Sequence, residues 1–446
     1  MALFGTDGIR GLANSDLTAE LALAVGVASA HILIEALGST KTRPRAIIGR
    51  DSRASGEFLE SAVVAGLTSA GVDVYRVGVL PTPAIAFLVA QSGADLGVMI
   101  SASHNPMPDN GIKLFARGGD KLDDALEAAI EARLQEPWQR PIGRDVGRII
   151  NNESAKETYI SHLLSTINLK LSGIKVVIDC ANGAASHVAP EVLRRAGAEV
   201  ISVSDQPDGW NINENCGSTH LDSLRAHVVK NEADIGIALD GDADRSLVID
   251  STGADVDGDQ ILAILAIALN NSKKLKSKTV VGTVMSNLGF VKAMEQNGIS
   301  VLKTAVGDRY VLEKMIQDGL NLGGEQSGHV ILKDFANTGD GTLTALHLLQ
   351  EMKQSGKSIQ ELAAVMMRFP QVLINVKNVS KEKLGTSKAV ATAVALAEEE
   401  LGDTGRVLLR ASGTEALVRV MVEASSDSVA LAVANKLALV VTQELG

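Results

Sequence analysis

Leu96-Gly97-Val98-Met99-Ile100 runs without a break into Ser101-Ala102-Ser103-His104-Asn105-Pro106. The first five residues read as a short buried strand, and the proline halts any continuation. A serine hydroxyl is thereby held on a loop at the end of a buried strand, which is where open α/β sheets take their ligands. Ser103 reads as a nucleophile that carries a phosphoryl group. The rest of the chain is expected to supply a metal, a sugar grip and a phosphate grip.

Working outward, the same pattern recurs three times. In the first copy Ala46-Ile47-Ile48-Gly49 leads into Arg50-Asp51-Ser52-Arg53, a helix follows, and Ala70-Gly71-Val72-Asp73-Val74 opens a second strand before the serine strand. The second copy starts at Val176-Val177-Ile178-Asp179, continues through Ala196-Gly197-Ala198-Glu199-Val200, and ends in Ala233-Asp234-Ile235-Gly236-Ile237-Ala238-Leu239. The third starts at Val280-Val281-Gly282-Thr283, passes Asn297-Gly298-Ile299-Ser300-Val301, and ends in Leu320-Asn321-Leu322-Gly323-Gly324. Strand–helix–strand units of this kind build mixed or parallel sheets. The fold class expected is α/β, with three related mixed-sheet domains. A fourth segment differs: a strand over 372–376, an alanine-rich helix over 387–401, two more strands and a final helix predict a small α+β domain with an antiparallel sheet. Shifts in composition place the domains at 1–145, 146–253, 254–368 and 369–446. Near the N-terminus, a helix over 18–37 is predicted from its apolar spacing, with Asp16 or Thr18 to cap it.

Bulk properties narrow the function. The 446 residues are 46% hydrophobic and 21% charged, as expected of a globular protein of three or four domains. A net charge of −11 argues against nucleic acid or an anionic membrane as the main partner. The only cysteines, Cys180 and Cys216, form no C-x-x-C pair, so reduced thiols are expected and neither disulfides nor a zinc site. Residues 1–7 have no basic or long apolar region of a signal peptide, and the apolar run over 261–269 is too short to span a bilayer.

Four further stretches carry chemistry. Asp240-Gly241-Asp242-Ala243-Asp244-Arg245 sets three carboxylates at alternate positions. At about 4 Å and an effective dielectric near 20, each pair repels by roughly 4 kcal/mol, a cost that a divalent cation removes. Oxygen-only donors favour Mg²⁺ over Zn²⁺, and the EF-hand pattern fails because Arg245 and Ser251 stand where it needs glycine and glutamate. A second acidic group, Asp255, Asp257 and Asp259, looks similar, but there Asp257 or Asp259 reads instead as a cap for the apolar helix after it. Phe4-Gly5-Thr6-Asp7-Gly8-Ile9-Arg10-Gly11 reads as a tight loop presenting the Arg10 cation. Lys113, just past the serine loop, could add a cation or shuttle a proton. Gly324-Glu325-Gln326-Ser327-Gly328-His329 offers a carboxylate and a hydroxyl that suit a sugar. Arg410-Ala411-Ser412-Gly413-Thr414-Glu415 reads as an anion cradle, with Arg419 as a second cation. His104 is not expected to pair with Ser103, because adjacent side chains rarely point the same way. A serine loop, an Mg²⁺ loop and arginines together suit phosphoryl transfer.

Taken together, the Ser-Ala-Ser-His-Asn-Pro, Asp-Gly-Asp-Ala-Asp-Arg, Gly-Glu-Gln-Ser-Gly-His and Arg-Ala-Ser-Gly-Thr-Glu stretches resemble, in order, the phosphoserine, metal, sugar and phosphate loops of the α-D-phosphohexomutase superfamily. The N-terminal Phe-Gly-Thr-Asp-Gly-Ile-Arg-Gly, the stretch Thr283-Val284-Met285-Ser286-Asn287-Leu288-Gly289 and Val306-Gly307-Asp308-Arg309-Tyr310-Val311 are similar to the bacterial phosphoglucosamine mutase branch. The resemblance implies four domains around one cleft and one Mg²⁺ held by Ser103, Asp240, Asp242 and Asp244. Arg10, Lys113 and Arg245 would flank the transferred phosphoryl, with His329 nearby. Glu325 and Ser327 would grip the sugar, and Arg410, Ser412, Gly413, Thr414 and Arg419 the phosphate that is not reacting. It implies a cytoplasmic isomerase of glucosamine phosphates, with glucosamine 1,6-bisphosphate as intermediate and activator, feeding UDP-N-acetylglucosamine and cell-wall synthesis. A homodimer, and a kinase or self-phosphorylation that first loads Ser103, stay open. So do glucose or mannose phosphates as substrates, an Mg²⁺-dependent phosphatase that uses Asp240 or Asp242, and a non-catalytic sugar-phosphate binding protein.

Overall fold

The β-branched runs bounded by glycine form the strands of four sheets, in a computed structural model that describes residues 3–5, 7–37, 43–411 and 417–446. Three of the sheets share one plan. In the first, Arg45–Arg50 lies parallel between Asp73–Val79 and Leu96–Ile100, and Asp109–Ala116 turns back antiparallel beside the latter. In the second, Lys175–Asp179 lies parallel between Glu199–Val203 and Ile235–Leu239, and Ser246–Asp250 turns back. In the third, Thr279–Thr283 lies parallel between Ser300–Thr304 and Leu322–Gly324, and Val330–Leu332 turns back. The repeated sequence pattern is thus a repeated fold. Three strands near the sheet centres, Leu96–Ile100, Ile235–Leu239 and Thr279–Thr283, are buried along their whole length, as parallel strands covered on both faces must be.

This plan places the site. The serine loop, the aspartate loop and the Glu325–His329 loop are one and the same connection, the reversal from the third strand of each copy to its antiparallel fourth. The first sheet gains Ile9–Leu12 on the Asp109–Ala116 edge and Ile149–Asn151 on the far edge, so the chain leaves that sheet later than residue 145.

Local signals set the helix ends. The helix Ala19–Leu37 is capped by Thr18, whose hydroxyl accepts Leu21 N, while Asp16 accepts Leu12 N instead. Asp257 caps Gly258–Asn271 in a reciprocal box with Gln260, as the sequence predicts. The helices Ala19–Leu37 and Ser55–Ser69 cross where Gly26 faces Gly66. A Cβ on Gly26 would sit 2.6 Å from Val63 O, so glycine is what lets the two backbones meet.

Residues 286–297 and 366–446 form a second compact unit apart from the rest. Its sheet is antiparallel, with Leu417–Glu423 between Gln371–Lys377 and Arg406–Ala411. Buried Glu423 ties the helix Leu288–Gln296 to this sheet, accepting Leu288 N at 2.7 Å and Arg406 Nε at 2.8 Å. Among the described residues one helix, Asp427–Leu445, is long and apolar enough to cross a membrane. Its Ala430, Val433, Ala434, Leu437, Val441 and Leu445 are buried in the core of this unit, while Val429, Leu431 and Leu439 are exposed.

Candidate active site

Ser103 is 1% exposed, and its φ is +54°. A non-glycine residue in the left-handed region costs roughly 1–2 kcal/mol and persists where the surroundings over-determine it. Its Oγ donates to Asp240 Oδ2 at 2.6 Å. The expectation that His104 points away is wrong. The left-handed backbone swings its ring round, and Nδ1 lies 3.2 Å from Ser103 Oγ. Burial, followed by the charges of Arg245 and Arg10, pushes the His104 imidazole down to about 4, so the ring is neutral at neutral pH.

The aspartate loop meets the serine loop across two sheets. Gly241 is needed there, since a Cβ would lie 2.6 Å from Ser103 O and 2.9 Å from Asn213 Nδ2. Asp240, Asp242 and Asp244 are all buried, with one oxygen from each within 4.8 Å of the others. Asp242 Oδ2 accepts Thr82 Oγ1 at 2.5 Å and Lys113 Nζ at 2.8 Å. Lys113 is itself buried and also pairs with Asp7 at 2.9 Å and Asp244 at 3.7 Å. Burial alone would strip its proton, but Asp242, Asp7 and Asp244 more than reverse that and hold it above the usual lysine range. Arg245 follows the same rule, desolvated but held charged by Asp244 and Asp240. Its backbone N donates to Asp240 Oδ1 at 3.2 Å.

The remaining residues of the first unit close round this centre. Arg10 lies on the edge strand Ile9–Leu12, opposite Gly111, and pairs with Asp7 while Nη1 reaches Asn105 Oδ1 at 3.3 Å. Glu325 Oε1 accepts Gly307 N at 3.1 Å, and the Ser327 hydroxyl is buried without a hydrogen bond among the described residues. His329 is buried, its Nε2 accepts Gly339 N at 3.0 Å, and Nδ1 faces Asp244 Oδ2 at 3.6 Å. A cavity of about 430 Å³ opens here, lined among others by Asp7, Arg10, Asp244, Arg245, Asp308 and Glu325. In the second unit Arg410 and Arg419 are cross-strand neighbours. Burial, then the Arg419 charge, lowers the Arg410 guanidinium, a strain that an anion between them would relieve. Ser412, Gly413 and Thr414 lie outside the described residues.

The sequence matches four consecutive family domains: phosphoglucomutase/phosphomannomutase alpha/beta/alpha domain I over residues 1–140, domain II over 157–253, domain III over 257–369 and the C-terminal domain over 373–440. It is 61% identical to the phosphoglucosamine mutase of Streptomyces griseus, over 100% of this chain and 99% of that one. The phosphoglucosamine mutase of Thermobifida fusca is 59% identical, over 99% and 98% of the two chains. This chain belongs to the phosphoglucosamine mutase family. The fold agrees with that of a phosphoglucomutase/phosphomannomutase family protein of Burkholderia thailandensis, with a TM-score of 0.84 at 24% identity over 99% of this chain and 97% of that one. It also agrees with that of an Aspergillus fumigatus N-acetylphosphoglucosamine mutase solved with GlcNAc-6P and magnesium, with a TM-score of 0.69 at 18% identity over 100% and 96% of the two chains.

For a member of the phosphoglucosamine mutase family, the aspartate trio must be tested as a cation site. Asp242 Oδ1 and Asp244 Oδ1 are buried without a hydrogen bond among the described residues. Burial and the neighbouring carboxylates Asp244 and Asp242 push Asp240 well above the usual range, the mark of negative charge short of a counter-ion. The donors are all oxygen, which suits a hard divalent ion. The residues fit.

Several residues of the site escaped the sequence reading. Asp7 links Arg10, Lys113 and Lys121, and Thr82 braces Asp242. Lys121 also pairs with Asp308, and Arg309 joins Asp124 and Glu127, so the third α/β sheet's loop is anchored on the first domain. Asp308 and Arg309 stand in the Val-Gly-Asp-Arg-Tyr-Val stretch that marked the branch, which was the available signal.

Proposed function

We propose that this chain is an isomerase that interconverts glucosamine 6-phosphate and glucosamine 1-phosphate through phospho-Ser103 and a 1,6-bisphosphate. The observation that carries the reading is the Ser103 hydroxyl, 2.6 Å from a buried carboxylate of an aspartate trio that also pairs with the buried Lys113 cation. Relatives at about this chain's full length, named phosphoglucosamine mutase, support the amino sugar as substrate.

Phospho-Ser103 gives its phosphoryl to the 1-hydroxyl of glucosamine 6-phosphate. The Oγ–P bond breaks, the sugar O1–P bond forms, and the proton of the 1-hydroxyl ends on the departing Ser103 Oγ. The bisphosphate then turns over: its O6–P bond breaks, the 6-phosphoryl returns to Ser103 Oγ, and the serine proton, which rests against Asp240 Oδ2 in the hydroxyl form, ends on the sugar O6. Arg10, Lys113 and Arg245 supply cations to the equatorial oxygens; carboxylates already fix Arg10 and Lys113, and the Arg245 Nε lies 3.8 Å from Asp244 Oδ1. Asp240, Asp242 and Asp244, with the Ser103 phosphate, would hold Mg²⁺, which supplies further charge neutralisation on the transferring group. Glu325 and Ser327 grip the sugar. His329 acts through Asp244, which it faces with Nδ1 while Gly339 N occupies Nε2. Arg410 and Arg419, with Ser412, Gly413 and Thr414, hold the phosphate that is not reacting. Two buried free thiols, Cys180 and Cys216, support a cytoplasmic setting.

The test is to incubate the phosphorylated protein with Mg²⁺, a trace of glucosamine 1,6-bisphosphate and, side by side, the 6-phosphates of glucosamine, glucose and mannose. The 1-phosphates are followed by ³¹P NMR. Preference for the glucosamine ester is expected. Preference for glucose or mannose would move the substrate but keep the mechanism, and inorganic phosphate alone would overturn it.

A further inference from the structure

We infer that Arg53, seconded by Asn213, is the positioning residue that aims the Ser103 side chain, acting on the backbone of the serine loop rather than on the phosphoryl group. The inference rests on the phosphoserine reading above. Arg53 is 0% exposed and lies on the loop after Arg45–Arg50. Its Nε pairs with Asp51 Oδ2 at 3.0 Å. Nη1 donates to Pro106 O at 2.6 Å, and Nη2 to Ser103 O at 3.0 Å and Asn105 O at 2.8 Å. One guanidinium therefore gathers three carbonyls from four consecutive residues. Asn213, from the second α/β domain, grips two of the same carbonyls with Nδ2, Ser103 O at 2.9 Å and Asn105 O at 3.0 Å. Ser101 completes the frame. Its Oγ donates to Asp51 Oδ2 at 2.6 Å and accepts Ser103 N at 2.9 Å.

Both backbone polar groups of Ser103 are thus fixed from outside the strand ladder, at a residue whose left-handed φ needs such over-determination. The loop that does the holding is itself docked on the second domain, through Ser52 Oγ to Asn182 O at 2.6 Å and Ala54 N to Gly209 O at 2.9 Å. The same frame therefore registers Ser103 against Asp240, which that domain carries. Only arginine fits, because a planar fork with five donors can reach a carboxylate and three carbonyls at once, whereas lysine is a point charge. With its charge matched by Asp51, Arg53 contributes direction. Its loss is expected to appear in kcat and not in KM.

The experiment compares Arg53→Lys, Ser101→Ala and Asn213→Ala with the wild-type chain. Each is phosphorylated with glucosamine 1,6-bisphosphate, and transfer from phospho-Ser103 to glucosamine 6-phosphate is timed by rapid quench in a single turnover. A loss of about 10- to 100-fold in the transfer rate is expected for Asn213→Ala and Ser101→Ala, the scale of a misplacement near 1 Å, with KM within about twofold. Arg53→Lys is expected to lose at least as much. If it does not fold, the other two variants decide, since both leave the Asp51–Arg53 pair intact. Wild-type transfer rates in Asn213→Ala and Ser101→Ala, or a loss seen only in KM, would overturn the inference while leaving phospho-Ser103 in place. Absence of phosphate on Ser103 in the wild-type chain would instead overturn the reading it rests on.

Discussion

Replacing Lys113 by methionine separates charge balance from the part in phosphoryl transfer proposed for it. Its Nζ lies 2.8 Å from Asp242, 2.9 Å from Asp7 and 3.7 Å from Asp244, and the side chain is buried. At an effective dielectric near 20, one contact of this length is worth about 6 kcal/mol before desolvation, and breaking a buried pair costs about 3–5 kcal/mol net. The metal-free variant is therefore expected to unfold at distinctly lower urea. The same change removes a cation that competes with a metal for Asp242 and Asp244. A unit charge about 5 Å from a divalent ion repels it by roughly 7 kcal/mol by the same relation, and even a fifth of that, once removed, tightens Mg²⁺ binding by about tenfold. Mg²⁺ should then restore more stability to the variant than to the wild-type chain, because binding to the folded state adds to its stability. Turnover should nevertheless fall by about 10²- to 10³-fold, the usual effect of deleting one preorganised group at a site of developing charge. Isothermal titration calorimetry with Mg²⁺, urea unfolding with and without the ion, and the ³¹P assay read the three effects. Unchanged or weaker Mg²⁺ binding in a folded variant would refute the assignment of Lys113 as the counter-charge of the trio.

Other expectations follow from single contacts. Ser103→Ala should carry no phosphate by mass spectrometry and show only background isomerisation. Gly241→Ala places a methyl 2.6 Å from Ser103 O, so a destabilisation of about 1–3 kcal/mol and a fall in kcat of about tenfold or more are expected, measured by urea unfolding and steady-state rates. Asp340 caps the helix Gly341–Ser355 and accepts Tyr159 OH at 2.6 Å, and burial raises its carboxyl to about 6. Its folded value lies above the unfolded one, so its contribution is full below about pH 4 and is lost as pH rises through 6, a change of about 3 kcal/mol. Asp340→Asn should flatten that part of the stability–pH curve, as followed by urea unfolding from pH 4 to 7.

What the sequence discloses here is what lies close together along the chain. The serine loop and the Asp240–Asp244 loop each fit within a few residues, and a buried strand followed by polar residues reveals them. The Asp257 cap is legible for the same reason. Thr82 on Asp242, Arg53 on Ser103 and Asn213 on the same loop are not, since 160, 50 and 110 residues separate the partners and no periodicity connects them. The misreading of His104 has a different origin. The divergence of adjacent side chains holds for extended backbone, and a left-handed φ at Ser103 sets it aside. Asp7 is not legible either, because two of its partners, Lys113 and Lys121, lie more than a hundred residues away along the chain. In the folded chain the carboxylate is what holds both Arg10 and Lys113 in place.

The reversal that links the third strand of each α/β copy to its antiparallel fourth has a bearing on descent. A gene triplicated in tandem begins with three copies of one turn. Those turns now hold Ser103, the aspartate trio and Glu325, while the sheets beneath them keep the order of four shared strands. The three copies share the order of four strands and differ in chemistry at this turn, where a substitution between two hydrogen-bonded strands leaves the ladder untouched. A new specificity in this lineage is therefore to be sought in those three short turns, and grafting a turn from a relative is a smaller step than redesigning a domain.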